Sequence, residues 1–317
     1  MELSKHIEPL PLRSPEDLAM QAAGIAASIE KDGYCLLQGW DDSVECLEMI
    51  GAHFGKAQGH IRANHMGITG TGDCTDDSWK KFPAEYQGVT SGIFPPHTDG
   101  TFLSGIYYQD GKAVPICPPK LMMLQCVRTA GTGGENIIID GKAIFRDLSR
   151  DHPKVAKILC TMGCVTFSRD NMMSAEQCIF EKRPDGHYRM RYRFDEKMLA
   201  PAWSIDAIHF FNENYIMNPK YRVTLCLKKG NVMVIDNLRA LHGRLAFTPD
   251  KDPKKSRKLR RLWILDDVVE ELRPIQGVIR EQRSMEAFKS YGPIENPHKV
   301  SVAKYNCGFR HYLNEGK

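Results

Sequence analysis

The stretch Phe94-Pro95-Pro96-His97-Thr98-Asp99-Gly100 sets an imidazole and a carboxylate two residues apart, with two prolines before them and a glycine after. In an extended strand, residues i and i+2 face the same way, so His97 and Asp99 are expected to grip one ion from a single strand face. A second imidazole stands far downstream, in Asp236-Asn237-Leu238-Arg239-Ala240-Leu241-His242-Gly243-Arg244. Fifteen positions beyond His242 an arginine opens the run Arg257-Lys258-Leu259-Arg260-Arg261. Two imidazoles and one carboxylate on one face of a metal, with the other face open, form the ligand set of a non-heme Fe(II) oxygenase site. The planar fork of Arg257 answers a separate need. It can hold the far carboxylate of a keto-diacid co-substrate through two parallel hydrogen bonds.

Taken singly, each piece has an ordinary explanation. A His-x-Asp triplet arises by chance, His242 could be a core histidine, and Arg257 could belong to a solvated basic face running from Lys254 to Arg261. The conjunction carries the reading: all four residues occur in order, each beside strand-like sequence.

The chain has 317 residues, enough to bury a large core in one elaborated domain. A net charge of +4 over that length, with no concentrated basic face, speaks against nucleic acid as a partner. No apolar run is long enough to span a bilayer, and Met1-Glu2-Leu3-Ser4-Lys5-His6 lacks the core of a signal peptide. The ten cysteines are scattered without a Cys-x-x-Cys pair, which points to a reducing cytoplasm that would also keep iron ferrous. Cys160 and Cys164 are spaced to share one helix face.

Around the motifs the pattern predicts helices first and strands after. Ser14-Pro15-Glu16-Asp17 starts a helix that Gly33 ends, and Ser43 to Phe54 forms a second. Strands are expected at 34–38, around Ile61 and Ile68, at 121–127, 135–141, 221–227, 231–235 and 259–266, with helices at 142–148, 151–159 and 207–215. Pro184-Asp185-Gly186 reads as a hairpin turn, and Tyr188 to Arg193 as a strand along which Arg191 and Arg193 alternate. Short strands behind leading helices imply a mainly β fold with flanking helices, a jelly-roll core of the double-stranded β-helix type. The whole of 1–317 is expected to be a single domain, with loop or lid insertions around 70–90 and 104–119 and a helical and strand insertion around 165–215.

At this point the chain resembles the taurine dioxygenase-like (TauD/TfdA) branch of the Fe(II)/2-oxoglutarate-dependent oxygenases. The resemblance runs from about Gly33 to Ile264. It rests on His97-Thr98-Asp99, Pro118-Pro119, Gly133-Gly134-Glu135-Asn136, Asp236-Asn237 before His242-Gly243-Arg244, and Arg257 with Arg261. It implies that His97, Asp99 and His242 are iron ligands, that Arg257 holds the distal carboxylate of 2-oxoglutarate, and that Arg261 lies near the keto-acid end or the substrate. Asn136 stands where the family usually has a threonine touching the co-substrate. An amide can still donate to a carboxylate, and a plain strand-edge amide is the alternative. Halogenating relatives carry a small residue at the position of Asp99, so its presence points to hydroxylation, desaturation or oxidative rearrangement.

The implied reaction consumes 2-oxoglutarate and O₂ on Fe(II), releases succinate and CO₂, and hydroxylates or desaturates a small polar metabolite, an amino-acid-like or betaine-like acid. Leu124-Gln125-Cys126, Ile139-Asp140-Gly141 and Leu241-His242-Gly243-Arg244 are similar to the carnitine-pathway hydroxylases. His97-Thr98-Asp99-Gly100 with the 238–247 and 257–261 segments is equally similar to natural-product enzymes that desaturate or form isonitriles. A non-catalytic jelly-roll module is the rival from another class. Arg261, Tyr107 and Arg193 are the candidate substrate contacts. Homo-oligomerisation is left open.

Overall fold

The computed structural model describes residues 7–58, 68–72, 90–103, 105–109, 112–169, 172–174, 176–183, 185–252, 255–265, 280–281 and 299–304. These group into two compact units, one within Met1–Pro96, Pro119–Ile139 and Val223–Asp267, the other within His97–Pro118, Asp140–Arg222 and Val268–Lys317.

The first unit is built on a seven-stranded sheet. Its order is Leu10–Pro11, Tyr34–Gln38, Asn231–Asp236, Leu121–Arg128, Lys258–Ile264, Ala57–Gln58, with Ile68–Gly72 also paired to Lys258–Ile264. Tyr34–Gln38, Leu121–Arg128 and Lys258–Ile264 all run antiparallel to their neighbours in the centre. Alternation along the strands divides their side chains between two faces. One face carries Cys35, Leu37, Leu121, Met123, Val232, Val234, Leu262 and Ile264, which form a core with Leu18, Ile25, Leu47 and Ile50 of the helices Pro15–Met20, Ala22–Asp32 and Val44–Phe54. Full burial of each such aliphatic side chain is worth about 1.5–3 kcal/mol, so this helix layer anchors the sheet. By the same alternation, Met122, Leu124, Cys126, Leu259, Arg261 and Trp263 occupy the other face.

Local signals explain the helix ends. Ser43 caps Val44–Phe54, its hydroxyl accepting from Cys46 N at 3.0 Å. Gly33 closes Ala22–Asp32 in the left-handed conformation at φ 78°. The single helix expected from 15 to 32 is two helices, broken at Gln21, whose side-chain amide turns back to Pro11 O at 2.7 Å.

A four-stranded sheet has the order Arg222–Leu225, Asn136–Asp140, Ala240–Arg244, Phe94–His97. The chain passes from the large sheet into this one at Asp236-Asn237: Asp236 Oδ1 accepts from Leu238 N at 3.0 Å, and the buried Asn237 amide donates to Pro119 O at 2.9 Å. A strand leaving one sheet and entering another through such a corner is the construction expected of a jelly roll.

The second unit packs helices Gly141–Asp151, Pro153–Leu159 and Ala202–Phe211 with short antiparallel strands. The hairpin expected at Pro184-Asp185-Gly186 is present, with Phe180–Lys182 paired to Tyr188–Met190. Three expectations are corrected here. The strand from Tyr188 stops at Met190, because Arg191 N donates to Ile179 O and Tyr192 bonds instead to Thr98. The helix before Cys160 ends at Leu159, so Cys160 and Cys164 do not share a helix face. The helix expected at 207–215 begins at Ala202 and winds into a π-helical turn, Asn212–Ile216, where Asn212 accepts from the buried Tyr192 hydroxyl at 2.7 Å. Gly105–Gln109 and Lys112–Ile116 pair antiparallel. The strand expected around Ile61 and most of the 70–90 loop lie outside the described residues. Among the described residues no helix is long and apolar enough to cross a membrane.

Candidate metal centre and co-substrate cation

Phe94–His97 is the edge strand of the four-stranded sheet, which is why Pro95 and Pro96, lacking amide donors, are tolerated there. The strand ends at His97. Thr98 N donates to Tyr192 O at 2.8 Å, Tyr192 N returns to Thr98 Oγ1 at 3.0 Å, and Gly100 turns the chain at φ 70°. Asp99 therefore sits in a turn rather than on the face of a continuing strand, which corrects the i, i+2 argument made from sequence. The turn still returns its carboxylate to the imidazole, with His97 Nε2 and Asp99 Oδ1 3.5 Å apart.

His242 occupies the middle of the strand Ala240–Arg244. Its neighbour Gly243 permits the close approach of the edge strand: a Cβ there would lie 2.7 Å from Phe94 O and 3.1 Å from Pro96 N. His97, Asp99 and His242 are all buried, and each offers a ligand atom within 4.8 Å of the others, a group that could hold one metal ion. Two neutral imidazoles and a carboxylate suit a mononuclear iron site with open positions, so the residues present fit Fe(II).

Arg257 lies just before the strand Lys258–Ile264 and is 5% exposed. Gly134, at φ 78°, leaves it room; a Cβ on that glycine would stand 3.2 Å from Arg257 Nε. The guanidinium lies 5.6 Å from the Phe247 ring centroid. Among the described residues no carboxylate or carbonyl is bonded to it. The titratable groups described beside it are thiols, and these stay neutral: burial pushes Cys126 up to about 11 and also raises Cys226. Burial in turn lowers the pKa of Arg257 from the usual guanidinium value. A buried cation without an anion is costly, and a ligand carboxylate would relieve that cost.

The other sequence candidates fall as follows. Asn136 is buried at the start of the strand Asn136–Asp140, two residues from Gly134. Arg261 is buried opposite Leu124, its Nε 3.3 Å from Thr69 Oγ1 and its guanidinium 5.2 Å from the Trp263 ring. Arg260 faces the helix side, donating to Gln125 Oε1 at 2.9 Å, so it is turned away from Arg261. Arg193 is clamped by Asp195, through bonds from both Nε and Nη2. Tyr107 lies in the strand Gly105–Gln109, and its side chain is outside the described residues. Sequence reasoning gave no role to Phe247 or Arg244, although the spacing His242-Gly243-Arg244-x-x-Phe247 was open to view. It also assigned nothing definite to Arg191, which is buried and donates to Leu103 O at 2.9 Å, just beyond the Asp99 turn.

Residues 3–263 match the sequence pattern of the taurine catabolism dioxygenase TauD, TfdA family. The chain belongs to this family. That family is one of Fe(II)/2-oxoglutarate-dependent dioxygenases, whose cofactors are Fe(II) and 2-oxoglutarate. Among its relatives, a uridine-5'-phosphate dioxygenase of a Streptomyces species is 27% identical over 166 residues, 49% of this chain and 59% of that one. Mouse mitochondrial trimethyllysine dioxygenase is 24% identical over 48% of this chain and 37% of its own length. The match thus spans less than two thirds of either relative's length. An asparagine oxygenase, solved with Fe(II), 3-hydroxyasparagine and succinate, superposes with a TM-score of 0.60 at 16% identity, covering 79% of this chain and 80% of that one. A taurine dioxygenase from Burkholderia xenovorans superposes at 0.55 with 18% identity, covering 84% and 85%. These likenesses establish the TauD-like fold, β-rich with flanking helices, that the sequence led one to expect.

Proposed function

We propose that this protein is an Fe(II)- and 2-oxoglutarate-dependent oxygenase that hydroxylates or desaturates a small polar metabolite, an amino-acid-like or betaine-like acid. The observation that carries the reading is the pairing of a buried His-Asp-His group with a buried arginine that has no anion among the described residues. A metal-binding module would need the first and have no use for the second. A zinc hydrolase would likewise leave Arg257 without a task.

In this reading His97, Asp99 and His242 hold the iron, and Arg257 receives the distal carboxylate of 2-oxoglutarate. Asn136 and Arg261 complete the co-substrate surroundings. Bound iron, with 2-oxoglutarate and O₂, supplies an oxidant able to take a hydrogen atom from an unactivated C–H bond, while 2-oxoglutarate leaves as succinate and CO₂. The chain's own part is to bind, orient and exclude water. Asp99 would supply the ligand whose place a halide would otherwise need, which supports oxygen insertion or desaturation over halogenation. No side chain is required as a general base.

The substrate class follows from charge. Arg261 is buried on the sheet face that Arg257 leads into, where its planar fork suits a substrate carboxylate. The names of the relatives agree in chemistry: uridine-5'-phosphate, trimethyllysine and γ-butyrobetaine each carry a phosphate or a carboxylate. An amino-acid-like or betaine-like acid is therefore our first choice, with natural-product tailoring of an amino-acid-derived substrate as the second. Tyr107 and Arg193 remain proposed substrate contacts. For Arg193 this requires that Asp195 release it or share it. We further propose that 1–317 acts as one oxygenase domain, with the 70–90, 104–119 and 165–215 segments shaping access.

The test is direct. Aerobic Fe(II)-loaded protein should convert 2-oxoglutarate to succinate slowly alone and faster with the right acid from a panel of amino acids, betaines and nucleotides. His97→Ala and His242→Ala should each abolish Fe(II) binding by calorimetry while leaving the circular dichroism spectrum intact. Full iron affinity in either variant, or no succinate from the parent, would sink the assignment.

A further inference from the structure

Phe247 is 6% exposed, and two guanidinium groups lie close to its ring: Arg244 at 4.8 Å and Arg257 at 5.6 Å from the centroid. Arg244 is fastened elsewhere, with Nη2 donating to Thr90 O at 2.5 Å and Gly92 O at 2.7 Å. Arg257 is not. Among the described residues its guanidinium has the Phe247 ring, the gap left by Gly134 and two neutral thiols around it.

The ring itself is pinned through its backbone. Phe247 N donates to Ser91 O at 3.0 Å, Leu245 N to Glu135 O at 2.9 Å, and Gly134 N to Ala246 O at 3.0 Å. Phe247 pairs with Gly133, at φ 74°, where a Cβ would lie 2.3 Å from Ala246 O. A Cβ at Gly134 would meet both Arg257 Nε at 3.2 Å and Phe247 Cβ at 3.3 Å. Gly134 and Phe247 thus form the two walls of the slot that holds Arg257.

We infer that Phe247 is a positioning residue for 2-oxoglutarate, its ring orienting the Arg257 fork without neutralising it; this rests on the co-substrate role proposed above for Arg257. The physical distinction is between two ways of restraining a buried cation. A carboxylate would hold the guanidinium firmly but would occupy the donors and cancel the charge that the co-substrate needs. An aromatic face attracts the cation through its quadrupole and leaves the N–H edge open. The long arginine side chain is then ordered before the ligand arrives, so less rotamer entropy is lost on binding. Arg244 ties the same segment to 90–92, immediately ahead of the strand that delivers His97, so the co-substrate cation and that strand share one brace.

The experiment is anaerobic calorimetry on the full chain loaded with Mn(II), titrating 2-oxoglutarate and, separately, pyruvate, which lacks the distal carboxylate. Phe247→Leu keeps apolar bulk and removes the quadrupole; Phe247→Tyr keeps both. We expect Phe247→Leu to weaken 2-oxoglutarate by about tenfold, with pyruvate, Mn(II) affinity and melting temperature unchanged, and Phe247→Tyr to bind like the parent. Parent-like 2-oxoglutarate affinity in Phe247→Leu would overturn the inference. So would an equal loss for pyruvate, which would mark a general packing defect. A parent that fails to bind 2-oxoglutarate at all would instead remove the proposed function, and this inference with it.

Discussion

In the role proposed for it, Arg257 is a single side chain unfavourable for folding and needed for binding. Its guanidinium is buried with no anion among the described residues, while a comparable cation, Arg189, is paired to Glu181 at 2.6 Å. Arg257→Met keeps most of the volume and removes the uncompensated charge. We expect the variant to be more stable than the parent in the absence of ligand, by about 1 kcal/mol or more, since apolar replacement of buried ions is often stabilising. It should lose the stabilisation that 2-oxoglutarate confers on the metal-loaded parent, about 2.7 kcal/mol at a hundredfold excess over Kd. Urea denaturation with and without 2-oxoglutarate checks both halves. A destabilised free variant would mean that Arg257 has a structural partner after all. That His97, Asp99 and His242 come together was legible from the sequence because the residues occur jointly and in order beside strand-like segments. The bareness of Arg257 was not, since the lack of a partner is a property of the folded surroundings.

At the scale of elements, the approach of two strands depends on one glycine. Gly243 lets Ala240–Arg244 lie against Phe94–His97, and a Cβ there would meet Phe94 O at 2.7 Å. Backbone cannot give way cheaply, so Gly243→Ala should cost about 1–3 kcal/mol by overpacking and lower Fe(II) affinity at least about tenfold. Calorimetry and denaturant melts measure the two effects; unchanged metal affinity would show that the strands can separate without moving His97 from His242. In the second unit, the helix Gly141–Asp151 is tied to Pro219–Tyr221 by Asp147. Lys220 Nζ donates to its carboxylate at 2.7 Å and Tyr221 Oη at 2.9 Å, and these bonds, Lys220 first, hold its pKa well below the usual carboxylate range. A depressed folded pKa contributes stability that is present above the unfolded value near 4 and is lost as pH falls below it. Asp147→Asn should therefore cost about 1 kcal/mol at neutral pH and flatten the decline of stability between about pH 5 and 2. An acid limb as steep as the parent's, in urea melts across that range, would remove Asp147 from the account. The hairpin at Pro184-Asp185-Gly186 and the helix cap at Ser43 could be foreseen because they are local. The end of the strand at His97 could not, since Thr98 is drawn off by Tyr192, 94 residues away.

For the whole molecule, the expected outcome of turnover under ¹⁸O₂ is a product that has gained one labelled oxygen or lost two hydrogens. No chlorinated product should form even at high chloride, because Asp99 stands in the group that could hold the metal and is proposed to fill the place a halide would need. Mass spectrometry of the product settles the point, and a chlorinated product would overturn the role of that carboxylate. The order of elements and the motif set were enough to reach the β-rich fold and the TauD/TfdA family, because hydrophobic alternation and ligand chemistry are both written along the chain. Tertiary structure alone decided the rest. It put Asp99 in a turn instead of a strand, turned Arg260 towards the helices and Arg261 to the opposite sheet face, engaged Arg193 with Asp195, and set Phe247 beside Arg257. In each case the deciding partner lies on a neighbouring strand, across a turn or at a distant position in the chain. One-dimensional spacing identifies which chemical groups are available, but hydrogen bonds and burial in three dimensions determine which of them are left to meet a ligand.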